Sequence, residues 1–224
     1  MTLDTPMDAF DRDAISKMRR SYGEVGLEES ALDPNPIKQF TLWLAQAAQN
    51  QVIVEANAMV LSTALHGKPS SRTVLLKDVT DAGFTFFTNY QSKKANEISN
   101  SPEVALLFPW YAMERQVKIV GSASKVSESE SDGYFATRPW SSQIGAWASN
   151  QSSPLKSRAE LQDRFEEFAK KYPEGTKVPR PTNWGGYLVA PESIEFWQGR
   201  YSRLHDRIRY LRIGRDWKIE RLYP

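Results

Sequence analysis

The 224-residue sequence predicts an α+β domain, a Greek-key-like barrel of sequential antiparallel strands with helices at its periphery. Three observations predict it. Short runs rich in β-branched and aromatic residues follow one another with tight turns between them. The stretches with helical spacing fall outside those runs. No Gly-x-Gly-x-x-Gly follows a strand, so a doubly wound sheet would lack its phosphate-binding turn.

The elements can be justified in order. Residues 1–35 are polar, close on Asp33-Pro34-Asn35-Pro36, and read as a mobile arm with a short helical piece over 14–22. A single domain then occupies 36–224. Pro36 suits the first position of a helix, and Phe40, Leu42, Trp43, Leu44 and Ala47 give that helix an apolar face to about Gln51. Strands are expected over 58–64, 71–79 and 84–89, with turns at His66-Gly67-Lys68-Pro69 and Asp81-Ala82-Gly83. A short helix over 92–100 carries Lys93, Lys94 and Glu97. Residues 104–110 are nearly all apolar, as a buried strand requires, and 116–126 continues the sheet. Helices follow over 127–137 and 154–172, the second with Leu155, Leu161, Phe165 and Phe168 on one face. Strands over 184–189, 193–198, 207–213 and 217–222 end the domain, the last two joined at Gly214-Arg215-Asp216.

Composition narrows the function. Apolar residues at 40% and charged residues at 25% are ordinary for a globular domain with a full core. Lysine and arginine number 29 against 27 acids, a net charge of +2 that gives no bulk argument for nucleic acid. The absence of cysteine removes disulfides, thiol nucleophiles, thiolate metal sites and iron–sulfur clusters. With only His66 and His205, a histidine-rich metal site is also excluded. No secretory h-region and no apolar run of roughly 18 residues is present, so a cytoplasmic protein with no membrane partner is expected.

Cations recur inside or beside the strands, where a plain barrel prefers apolar or neutral residues. They are Arg72, Lys77, Lys93, Lys94, Arg115, Arg138, Arg203 and Arg207. Any one of them is by default a solvated surface charge. Together, with aromatics and hydroxyls nearby, they suit anions, and two phosphorylated ligands are needed to occupy them all. His205, between Leu204 and Asp206, is by default a structural hydrogen-bonding group, and Trp197 a core residue. Glu195 or Asp206 could act as a base, but no second carboxylate supports a glycosidase or protease, and no Ser/His/Asp order stands out.

Ordered blocks carry more. Arg72-Thr73-Val74-Leu75-Leu76-Lys77, Phe87-Thr88-Asn89, Ser92-Lys93-Lys94-Ala95, Glu114-Arg115-Gln116-Val117, Arg138-Pro139, Ser142-Gln143-Ile144-Gly145-Ala146-Trp147, Gln151-Ser152-Ser153, Trp184-Gly185-Gly186, Trp197-Gln198-Gly199 and Arg203-Leu204-His205-Asp206-Arg207 occur in that order. In these blocks, from about Arg19 to Pro224, the chain resembles the pyridoxine (pyridoxamine) 5′-phosphate oxidases. The resemblance implies an FMN-binding split barrel and a homodimer with FMN at the subunit interface. It assigns Arg72, Thr73, Val74, Leu75, Leu76, Phe87, Thr88, Lys93, Lys94, Gln116, Gln151, Ser152, Trp197 and Arg207 to FMN. It assigns Lys77, Tyr134, Arg138 and Ser142 to a substrate phosphate, Arg203 and His205 to the reacting end of the substrate, and Arg19 and Tyr22 to a closing arm. Phe87 stands where tyrosine is frequent in the family, and Lys93 where arginine is frequent; the second change keeps the charge and loses a bidentate fork.

The implied reaction oxidises the 4′ alcohol or amine of a phosphorylated B6 vitamer to the aldehyde, with oxygen as acceptor and hydrogen peroxide as product. Arg203 would position and polarise the substrate heteroatom, and His205 would orient rather than abstract a proton. The rivals are a flavin reductase on the same barrel, which has no need of the Lys77/Tyr134/Arg138/Ser142 set, and a non-catalytic flavin or pyridoxal phosphate carrier.

Overall fold

Asn35 starts the first long helix. Its side-chain oxygen accepts from the backbone N–H of Ile37 at 2.8 Å and of Lys38 at 3.4 Å, and Pro36 fills a position that has no helical N–H bond to lose. The resulting α1, Pro36–Gln49, buries Ile37, Phe40, Trp43 and Ala47. Phe40 packs edge-on against Phe84 and Phe108, and Trp43 against Phe196. Each such buried side chain contributes roughly 1.5–3 kcal/mol. The helix thereby plugs one open side of the sheet. The computed structural model that shows this describes residues 17–18 and 20–224.

Nine antiparallel strands form the sheet: β1 Ala58–Leu65, β2 Lys68–Leu75, β3 Asp78–Thr80, β4 Gly83–Asn89, β5 Glu103–Trp110, β6 Arg115–Lys125, β7 Trp184–Gln198, β8 Asp206–Ile213 and β9 Asp216–Arg221. They run in the order β2-β1-β5-β6-β7-β4-β3, with β8 and β9 attached along β7, and the hydrogen-bonded sheet does not close. The barrel splits on β7. One edge of β7 pairs with β6 along its length, while the other pairs with β4 over its first half and with β8 over its second. The parting falls at Pro191-Glu192, where Glu192 is the extra residue of a bulge against Val120 and Gly121. The backbones approach closely there: a Cβ on Gly121 would lie 2.1 Å from the Ala190 carbonyl oxygen.

The structure corrects several expected boundaries. The single strand 71–79 is two strands, because the chain changes partner at Leu76 and Lys77. The Leu76 N–H donates to Asn57 O on the β1 side, and the next N–H, of Lys77, donates to Thr85 O of β4. The first hairpin turn is only His66-Gly67, both with positive φ as a two-residue turn requires, and Lys68 and Pro69 already belong to β2. Pro69 is tolerated because β2 is an edge strand. The two expected strands 184–189 and 193–198 are one, since β6 bridges their junction.

Among the described residues, four further helices are α2 Lys93–Asn100, α3 Glu128–Thr137, α4 Trp140–Ala148 and α5 Arg158–Lys171. α3 opens with a capping box between Ser127 and Glu130. α4 is absent from the sequence expectation. Phe135, Ile144, Val178 and Trp184 form a second small core, against which Phe165 and Phe168 of α5 also pack. Of the helical piece expected over 14–22, residues 14–16 and 19 lie outside the described residues, Lys17 is helical, and Met18, Arg20, Ser21 and Tyr22 are not. Leu27 and Leu32 are buried, the Asp206 carboxylate accepts from the Leu27 N–H at 2.9 Å, and the Tyr210 hydroxyl donates to the Asp33 carbonyl at 2.8 Å. That part of the arm packs on β8. Among the described residues no helix is long and apolar enough to cross a membrane.

Candidate active site in two clefts

The partner switch at Leu76, the end of β4, the start of α2 and the α3–α4 corner converge on a cleft of about 510 Å³. Of the residues assigned from the sequence, Arg72, Thr73, Val74, Leu75, Lys77, Phe87, Thr88, Lys94, Tyr134, Arg138, Ser142 and Gln151 line it. It holds four cations and no lining carboxylate. Thr137, Pro139 and Trp184 complete the wall and had not been assigned from the sequence.

Three of the four cations, Lys94, Arg72 and Arg138, are held by protein groups alone. The buried Lys94 ammonium donates to Gln151 Oε1 at 2.8 Å and to Thr88 Oγ1 at 3.2 Å. Burial and the nearby Arg72 push it down to about 8, with Glu97 opposing. Arg72 donates to Leu61 O, Thr63 Oγ1, Ser70 Oγ and Glu97 Oε2. Arg138 leads from α3 into Pro139, with its guanidinium 4.6 Å from the Trp184 ring centroid. Burial lowers its pKa from the ordinary value, with Tyr134 opposing. Its buried Nη1 has no hydrogen-bond partner among the described residues. An unpaired buried guanidinium N–H is costly alone and is satisfied by an anion. Phe87, Tyr134 and Trp184 stack nearly parallel beside it, with Phe87 and Tyr134 centroids 4.0 Å apart. The donor set fits a phosphate monoester carried on a flat ring.

A second cleft, of about 640 Å³, shares no lining residue with the first. Tyr22, Arg203 and His205 line it, with Met18, Arg20, Ser21, Arg200, Tyr201 and Ser202. The His205 ring lies 4.7 Å from Trp197 and 5.3 Å from Tyr22, centroid to centroid. Its Nδ1 accepts from the Arg200 N–H at 3.0 Å, which leaves Nε2 to carry the proton of the neutral ring. Burial and then Arg203 lower its pKa, favouring that neutral form. Ser202 and Arg203 both have positive φ, at 56° and 63°, a strained backbone that holds the exposed Arg203 out from the loop.

Gln116, Trp197 and Arg207 form one lateral row, paired Gln116 to Trp197 and Trp197 to Arg207. Arg207 donates to Glu195 Oε1 at 2.7 Å, and that hydrogen bond raises its pKa. Like that row, three more of the assigned residues, Leu76, Lys93 and Ser152, line neither cleft. The Leu76 side chain is in the main core. Lys93 is exposed, 3.9 Å from Glu97. Ser152 is exposed in a turn with φ 74°, beside the lining Gln151. Arg19 lies outside the described residues.

Trp184 and Trp197 stand 13 residues apart on one strand, roughly 40 Å of extended chain. One chain therefore presents two separate clefts. Fold and site together define a split-barrel protein with a preassembled anion cleft and a distant, histidine- and arginine-bearing loop.

Comparison with known proteins identifies the group. Residues 45–172 match the family model described as pyridoxamine 5′-phosphate oxidase, and residues 184–224 that described as the pyridoxine 5′-phosphate oxidase C-terminal dimerisation region. The chain is 51% identical over 222 residues to the pyridoxine/pyridoxamine 5′-phosphate oxidase of Streptomyces avermitilis, covering 96% of this chain and 99% of that protein. It is 53% identical over 211 residues to the protein of the same name from Rubrobacter xylanophilus, covering 94% and 96%. Among solved structures, PhzG from Burkholderia lata 383 in complex with tetrahydrophenazine-1-carboxylic acid aligns with a TM-score of 0.84 at 32% identity, over 92% of this chain and all of that one. A pyridoxamine 5′-phosphate oxidase-related, FMN-binding protein from Nostoc punctiforme shares the fold, with a TM-score of 0.67 at 16% identity over 83% of this chain and 97% of the other. The chain belongs to the pyridoxine/pyridoxamine 5′-phosphate oxidase family.

Proposed function

We propose that the protein is a cytoplasmic, homodimeric, FMN-dependent oxidase that converts pyridoxine and pyridoxamine 5′-phosphates to pyridoxal 5′-phosphate. The alcohol and dioxygen give aldehyde and hydrogen peroxide; the amine also consumes water and releases ammonia. The observation that carries the reading is the first cleft, where Lys77, Tyr134, Arg138 and Ser142 stand beside a second phosphate-binding set of Arg72, Thr88, Lys94 and Gln151. PhzG from Burkholderia lata 383, in complex with an acid that carries no phosphate, shares the fold, so the fold alone does not choose the substrate. The paired cation sets favour two phosphorylated ligands.

In this reading Lys94, Arg72, Thr88 and Gln151 hold the FMN phosphate. Lys77, Arg138, Tyr134 and Ser142 hold the vitamer phosphate, anchoring the reacting end from a distance. Gln116, Trp197 and Arg207, from the partner copy, complete the flavin site, and Arg203 and His205 of that copy meet the vitamer's 4′ group. FMN supplies, when bound, acceptance of two electrons from the substrate carbon and their delivery to dioxygen. Arg203 donates hydrogen bonds to the 4′ heteroatom and orients its C–H bond. His205, neutral with its proton on Nε2, serves as a donor and not as a base. Tyr22, packed on Trp197 and His205, shields this end from water.

The test is an absorbance spectrum of the purified protein with added FMN, followed by peroxide release on adding pyridoxine 5′-phosphate. Flavin binding and stoichiometric peroxide are expected. Protein that binds no FMN contradicts the reading, and yellow protein that makes no peroxide with either vitamer phosphate points to a carrier.

A further inference from the structure

Glu97 lies on α2 and is 3% exposed, an unusual place for a carboxylate on a polar eight-residue helix. It does not line the first cleft; it stands behind it. Its oxygens accept from Thr63 Oγ1 at 2.6 Å, from Ser70 Oγ at 2.8 and 2.9 Å, and from Arg72 Nη2 at 2.9 Å. Lys93 sits 3.9 Å away on the solvent side. Burial alone would raise the carboxyl's pKa; the bonds from Thr63 and Ser70 and the Arg72 charge outweigh it and hold the group below its ordinary value.

The donors of Arg72 can be accounted for in full. Nη1 reaches Leu61 O and Thr63 Oγ1, and Nη2 reaches Ser70 Oγ and Glu97 Oε2. A guanidinium has five N–H groups, so among the described residues four have partners and the Nε–H is left over. Arg72 is thus not a free fork awaiting a ligand. Its plane is fixed by β1, β2 and α2, and it lines the cleft with one remaining donor and a charge.

We propose that Glu97 is a positioning residue for phosphate recognition: through Ser70 and Thr63 it locks Arg72 in the pose that aims Nε–H and charge into the cleft, and so sets selectivity for a phosphorylated flavin. The inference rests on the FMN reading of the cleft. It opposes the simplest electrostatic expectation, in which a negative charge behind an anion site only weakens it. On charge alone, neutralising Glu97 would tighten FMN binding. If Glu97 positions Arg72, neutralising it loosens FMN binding and leaves riboflavin, which lacks the phosphate, unaffected.

Glu97→Gln keeps the shape but sets an NH₂ where an acceptor is needed. The experiment measures dissociation constants of FMN and riboflavin by flavin fluorescence quenching for wild type, Glu97→Gln, Arg72→Ala and the double variant, with thermal melts of each. Expected for Glu97→Gln is roughly tenfold weaker FMN binding with riboflavin binding unchanged, the size of one lost charge-assisted hydrogen bond. The double variant should be no weaker than Arg72→Ala, because the two act as one unit. Should Glu97→Gln not fold, Ser70→Ala, at a half-buried site, tests the same link and should weaken FMN about threefold, again sparing riboflavin. Unchanged or tighter FMN binding, equal loss for both flavins, or additive losses in the double variant would overturn the inference while the FMN reading stands. A wild type that does not bind FMN removes both.

Discussion

The two clefts of one chain are built by opposite means. In the first, every cation except Lys77 rises from a strand, a helix or a helix end and is held by buried partners: Lys94 by Thr88, Arg72 by Glu97, Arg138 by the Trp184 face. In the second, Arg203 projects from a loop with two consecutive left-handed residues. Its neighbour His205 is held by a single hydrogen bond from the Arg200 backbone and by two ring contacts. The difference separates two tasks. Holding a dianion calls for fixed charge in a desolvated place. Meeting a reacting carbon calls for a group that arrives after the ligand, which a loop beside the N-terminal segment allows. Binding energy is thus expected to reside in the first cleft and turnover in the second.

That division can be broken, starting with the largest effect. Arg203→Ala should lower kcat by roughly 10²–10³, the size of a lost charged donor at the reacting group. FMN should stay bound, and a colourless variant would show that the loop binds cofactor instead. Next, Arg138→Ala and Lys77→Ala should each raise KM for pyridoxine 5′-phosphate roughly tenfold or more with kcat within a few-fold. A fall in kcat at unchanged KM would place chemistry, not anchoring, in the first cleft. The smallest effect is in pH. Burial and Arg72 push Lys94 down to about 8 in the free protein, and a bound dianion favours its charged form, so FMN affinity should be nearly full at about pH 7 and roughly halved at pH 8. It should then fall about fivefold between pH 8 and 9. Titrations at several pH values check this, and Lys94→Met should abolish the dependence.

The first cleft was the more legible of the two from sequence, although neither was legible as a place. Lys77, Tyr134, Arg138 and Ser142 are far apart in the chain, and only the ordered blocks linked them. The strands with clear alternation or apolar runs, β1, β4 and β5, could be read directly. The break at Leu76 could not, because it comes from a change of strand partner, which local sequence does not record. α4 was hidden by Pro139, Ser141, Ser142 and Gly145, which weaken helix propensity; its stability comes from burying Ile144 and Ala148. Glu97 was read only as one charge of a short polar helix with Lys93 at i−4, and its burial needs Thr63 and Ser70 of the hairpin above it. Trp184 was visible as part of a Trp-Gly-Gly block; its role as a wall for Arg138 depends on the second core.

The central claim is that a working site takes its first cleft from one copy and its second from the other. The most direct test mixes two variants, Arg203→Ala and Arg138→Ala, each poorly active alone, by co-expression in equal amounts. Random pairing makes half the dimers mixed, and each mixed dimer regains one intact site of its two, so activity at subsaturating substrate should return to about a quarter of wild type. Activity no higher than the mean of the two variants measured separately would contradict it, because a site contained within one chain has no intact copy in any of these dimers.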